Sequence, residues 1–127
     1  MKKIFIVLFA LLSFNVSAQS NVEKLSIDNY DFEIVTHPVS VVVFHMPLQM
    51  GSNNRLALEN LAYLSQVYMH NATYGFYRVD AINEFFLAGQ LKLKNYPTTV
   101  FYQNGEIVKE VEGLMYVDEL IEVLQGL

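Results

Sequence analysis

Val79-Asp80-Ala81, then Leu87-Ala88, then Tyr96-Pro97-Thr98-Thr99-Val100-Phe101-Tyr102-Gln103-Asn104-Gly105-Glu106 form the stretch on which the fold turns. Its last part holds the strongest local signal in the chain. The runs Thr98 to Gln103 and Glu106 to Val111 are strand-like and flank Asn104-Gly105. A two-residue hairpin needs positive φ at both central positions, which asparagine and glycine accept most readily. Upstream, Tyr74 to Val79 reads as a further strand. Asn83 is placed to cap a short helix carrying Leu87, Ala88 and Leu91.

Working outward, Val39 to His45 is a continuous β-branched run, the mark of a strand buried on both faces. Before it, Asp28 or Asn29 can cap a helix with Phe32 and Val35 on one side, which Pro38 closes. After it, Leu58, Leu61, Leu64 and Tyr68 recur at helical spacing, with Ser52 or Asn53 placed to cap the start. The last helix is the clearest. Val117, Leu120, Ile121 and Leu124 fall on one face, while Asp118, Glu119 and Glu122 face away. The order helix–strand–helix–strand–helix–strand–strand–helix predicts a mixed sheet covered on both faces.

This order resembles the thioredoxin fold over nearly the whole chain after the leader. The fold class is therefore α/β, a mixed central sheet with helices on both faces. The stretch from Asp80 to Glu106 is most similar to the catalytic domains of protein disulfide isomerase. Val-Asp-Ala, Leu-Ala, Tyr-Pro-Thr and Asn-Gly-Glu fit that pattern without gaps, and Gly113 stands where such domains keep a glycine after the last strand. The resemblance implies a cis peptide at Tyr96-Pro97. It also implies a Cys-x-x-Cys pair, and here the likeness fails: the chain contains no cysteine. Anchoring on Met46-Pro47 puts the former dithiol positions at Gln49 and Ser52. The family's buried acid would fall at Val43 and its neighbouring lysine at Phe76, and Asn95 replaces the usual glycine before the proline.

The first 18 residues read as a leader. Lys2 and Lys3 precede the apolar run Ile4 to Leu12, and Val16-Ser17-Ala18 offers a small-residue cleavage site. The run is too short to span a bilayer, so the expectation is a bacterial secretory signal peptide, cleaved after Ala18, and one periplasmic or secreted domain over residues 19–127. No cysteine follows the cleavage site, so no lipid anchor is expected. Losing two lysines takes the formal net charge from −5 to about −7. An acidic domain without a basic cluster is a poor match for nucleic acid or anionic lipid. With no disulfides available, stability has to come from burial.

The remaining residues carry little catalytic chemistry. Gln49 cannot ionise, and Ser52 has no base beside it to activate its hydroxyl. His37, His45 and His70 sit on three elements with no i, i+4 partner, so no metal site is expected, and His45 reads as a satisfied structural histidine. No cofactor is implied and no enzymatic activity is expected. What the resemblance leaves is a shallow peptide groove, here lined by Met46, Leu48 and Met50, by Tyr96 and Pro97, and by Leu114 and Met115 followed by Tyr116. Methionine adapts its shape, and tyrosine supplies contact area at low entropic cost. The expectation is a redox-inactive exported domain that binds a polypeptide partner there, as a chaperone-like helper or an envelope-complex subunit. One alternative is self-association through another face, either Phe85-Phe86 or an edge strand. Another is a glutathione-dependent activity using Ser52.

Overall fold

The computed structural model describes residues 22–47 and 52–127. The proposed leader, together with Leu48, Gln49 and Met50, lies outside them. The described chain forms β1 (Val22–Lys24), α1 (Tyr30–Glu33), β2 (Val39–His45), α2 (Ser52–Val67), β3 (Tyr74–Asp80), α3 (Phe85–Gln90), β4 (Thr98–Gln103), β5 (Glu106–Glu112) and α4 (Val117–Gln125). The five strands lie in the order β1-β3-β2-β4-β5, with β1, β3 and β2 parallel and β4 and β5 antiparallel to their neighbours.

β2 lies at the centre and is buried along its whole length. Its residues alternate between two core layers. Val42 and Phe44 join Tyr77, Val79, Val100 and Tyr102 on the face covered by α1 and α3. Val39, Val41 and Val43 join Phe76 and Phe101 on the other face, against Leu61 and Leu64 of α2 and Leu120 and Leu124 of α4. Burying both faces of one strand in this way is what a β-branched run does best. The hairpin also forms as expected. Asn104 and Gly105 both take positive φ, at 53° and 85°. A Cβ on Gly105 would stand 2.6 Å from Val35 Cγ1, so close approach as well as conformation requires glycine there.

Four local details differ from the sequence reading. β1 was not foreseen. It has three residues, two of them charged, and it exists because β3 offers a free edge for Val22 to Lys24 to pair with. α1 is a single turn, and the residues turned inward are Tyr30 and Ile34. Phe32 and Val35 are exposed instead. Neither Asp28 nor Asn29 caps that turn; Asn29 Oδ1 accepts from the Ser26 amide at 2.8 Å and closes the preceding bend. Finally, Asn83 does not cap α3. Asp80 Oδ1 takes the amides of Ile82 and Asn83, while Glu84, at the cap position of α3, sends its carboxylate to the Ile27 amide.

Candidate binding surface around Pro97

Three chain segments meet at the end of the sheet where β2 and β3 finish. The β2–β4 register places Phe44 opposite Thr98, so the chain beyond that pair carries His45 and Met46 toward Pro97 and Tyr96. The β4–β5 register pairs Thr98 with Glu112. Beyond it, the Gly113 amide donates to the Pro97 carbonyl at 2.7 Å. Sheet pairing, rather than side-chain packing, thus assembles this surface.

The Tyr96-Pro97 peptide is cis. Pro97 is buried, whereas Tyr96 is half-buried and packs on the core layer beneath α3, as Met46 does. Desolvation raises the Tyr96 hydroxyl pKa above the ordinary tyrosine value. No described residue takes up the Tyr96 backbone amide or carbonyl. Around it the loop is well tied. Thr98 Oγ1 donates to the Asn95 carbonyl at 2.6 Å, and Asn95 Nδ2 donates to Glu112 Oε1 at 3.0 Å. Asn95 therefore links its loop to the end of β5.

The other predicted contacts divide. Leu114 is half-buried and leans on the opposite core layer, beneath α2 and α4. Met115 is only 6% exposed and belongs to that layer outright. Its side chain is core and its carbonyl accepts from Asn60 Nδ2, so it presents no thioether to a partner. Tyr116 is exposed and its amide donates to Glu119 Oε1, opening α4. Leu48, Met50 and the former dithiol position Gln49 lie outside the described residues, as does the Ser52 side chain. Ser52 is the first described residue of α2 and Asn53 follows it inside the helix, so Asn53 does not stand before the helix as a cap.

Two polar residues that hold this surface were missed. Asn54 accepts the Met46 amide at 2.9 Å and Asn60 fixes Met115. Asn54 falls three and four residues before Ala57 and Leu58, on the apolar stripe of α2. A polar residue on such a stripe was the available signal.

His45 also departs from its expected role. It is 4% exposed, and its Nε2 has no hydrogen-bond partner among the described residues. Burial holds its pKa below the ordinary histidine value; Asp80 opposes that shift, while Arg78 and Lys24 reinforce it. The other two histidines lie at the far end of the sheet. His37 and His70 both line a cavity of about 440 Å³ with Glu23, Tyr68, Tyr74 and Tyr77. Among the described residues no group of three histidine, cysteine or acidic side chains could hold a metal ion.

Solved structures with the same architecture are numerous in kind and distant in sequence. Mitochondrial thioredoxin 3 of Saccharomyces cerevisiae superposes with a TM-score of 0.73 at 19% identity, covering 87% of this chain and 100% of its own. The Malassezia sympodialis thioredoxin Mala s 13 gives 0.67 at 23% identity, over 83% and 89%. Plasmodium falciparum thioredoxin gives 0.69 at 18%, over 83% and 96%. No protein-family model matches the chain, and no curated protein does. The likeness is one of fold: this chain is a thioredoxin-fold domain without cysteine.

Proposed function

We propose that this chain is an exported, redox-inactive thioredoxin-fold domain that binds an extended polypeptide segment across Met46, Tyr96, Pro97 and Leu114, in the periplasm or outside the cell. With no thiol anywhere, it cannot exchange disulfides through its own side chains. The single observation that carries the binding reading is the free backbone of Tyr96 beside a buried cis-proline, flanked by half-buried Met46 and Leu114. A segment laid along Tyr96 can pair with its amide and carbonyl as an added strand, and apolar side chains can rest on either side. The leader at residues 1–18 supports delivery to an oxidising compartment, where a fold stabilised by burial alone has no need of cysteines.

The test places a photocrosslinking amino acid at Tyr96, with a control at Glu122 on α4, in cells producing the full chain. A discrete adduct from position 96 alone, lost in the folded Leu114→Asp variant, is the expected result. Equal adducts from both positions, or none from position 96, would refute binding at this surface. Fractionation of the same cells tests export: recovery of uncleaved chain in the cytoplasm would overturn that part.

A further inference from the structure

We propose that Ile27, Ile82, Phe85 and Phe86 form a second docking surface, for a polypeptide segment whose apolar side chains are flanked by lysine or arginine. This goes beyond the surface around Pro97 and does not depend on it.

The local sequence explains why the patch exists. α3 is six residues long and turns Leu87 and Ala88 into the core. At about 100° per residue, Phe85 and Phe86 both point more than about 100° away from the mid-direction of Leu87 and Ala88, so they stay outside. Phe85 is 72% exposed and Phe86 62% exposed; Ile82, three residues before Phe85, is exposed too, as is Ile27. The Ile27 amide is hydrogen-bonded at 2.9 Å to Glu84, the residue preceding Phe85, so the bend at residues 26–29 and the start of α3 form one surface. The Asp80 carboxylate fixes the intervening turn through the Ile82 and Asn83 amides. Four such side chains expose on the order of a few hundred Å², the scale at which an apolar patch marks a contact. The patch is held in place by hydrogen bonds rather than left on a loose loop.

Charge selects the occupant. Asp28, Asp80 and Glu84 stand within two residues of the patch in sequence. No lysine or arginine occurs from Leu25 to Asn54 or from Val79 to Leu91. Among the described residues the ion pair formed is Arg55–Glu59, on α2, so none of these three carboxylates has a cationic partner. An apolar centre with an unneutralised acidic rim is complementary to an apolar segment carrying basic residues. The same rim argues against the other occupants. A two-fold pairing of this patch with itself would oppose like charges, and an anionic bilayer would be repelled.

The experiment is fluorescence anisotropy of purified protein with two labelled amphipathic peptides of one pattern, one built from leucine and lysine and one from leucine and glutamate. The leucine–lysine peptide is expected to bind at least about ten-fold more tightly than the other, and to weaken as salt is raised. The double variant Phe85→Ser/Phe86→Ser, which keeps every carboxylate, is expected to lose this binding by at least about ten-fold. Tyr96→Asp is expected to retain it. Both substituted phenylalanines are exposed, and an unchanged thermal melt would confirm the fold. Equal binding of both peptides, or of neither, would overturn the proposal. So would loss of binding in Tyr96→Asp with retention in the phenylalanine variant. A concentration-dependent doubling of mass in sedimentation, abolished by Phe85→Ser/Phe86→Ser, would give the patch to a second copy and equally overturn it.

Discussion

The Gly113 amide lies 2.7 Å from the Pro97 carbonyl, with Gly113 at φ +95°. That bond joins the end of β5 to the proline loop, and it needs a backbone conformation that residues with a side chain resist. A Cβ built at Gly113 meets nothing within 4 Å, so steric contact is not the issue. Gly113→Ala is expected to destabilise the protein by about 1–2 kcal/mol through conformation alone. Urea unfolding checks this. An unchanged midpoint would mean the loop relaxes without loss.

Gly75 presents the opposite case. A Cβ there would stand 2.5 Å from His37 Cδ2 and 2.8 Å from the Tyr77 hydroxyl. Overpacking of this kind costs roughly 1–3 kcal/mol, so Gly75→Ala should lower stability by that amount. The double variant Gly75→Ala/His37→Ala should recover part of the loss. Strict additivity of the two changes in a double-mutant cycle would show that the His37 ring is not what the methyl meets.

Tyr30 and Tyr102 share a hydroxyl–hydroxyl bond, with Tyr102 fully buried. Burial and this contact push the Tyr102 hydroxyl above its ordinary pKa. Tyr30→Phe strands a buried hydroxyl and is expected to cost about 1–3 kcal/mol. Adding Tyr102→Phe removes the stranded group, so the double variant should be more stable than Tyr30→Phe alone. Chemical denaturation of the three variants decides the matter.

His45 predicts a dependence on pH. Its folded pKa lies below the ordinary value while the unfolded chain protonates near pH 6.5. Between those two values the unfolded state binds more protons, so stability falls as pH drops below about 6.5 and levels off below the folded pKa. His45→Phe removes both this titration and the orphaned Nε2. The variant should equal or exceed the parent in stability near pH 7, and the gap should widen in its favour toward pH 5. A gap that stays constant with pH would show that His45 does not titrate as described.

The parts of the fold that could be read in advance are those where one physical preference dominates. β2 is apolar at Val39, at Val41 to Val43 and at Phe44, Asn104-Gly105 tolerates the required backbone, and α4 has an unbroken apolar stripe. The parts that escaped depend on what lies across space. β1 is defined by the vacant edge of β3 and not by its own residues. Phe32 and Ile34 are equally apolar, and only the one-turn length of α1 decides that Ile34 goes inward. At the surface around Pro97, the cis peptide Tyr96-Pro97 was legible from the motif. Met115 and Leu114 are consecutive and apolar, and only the placement of α2 and α4 assigns Met115 to the core. His37 and His70 line one cavity though far apart in sequence, which no local pattern reports.

β5 is exposed except at half-buried Val111 and carries Glu106, Ile107, Val108, Lys109, Glu110, Val111 and Glu112 along the outer edge of the sheet. With Ile107 and Val108 uncovered, such an edge would be a template for aggregation if its charges were absent. An antiparallel pairing of two copies centred on Lys109 would set lysine against lysine and Glu106 against Glu112. A fold that no cystine locks shut therefore carries its safeguard on its open margin, where pairing two copies in that register is penalised by like charges.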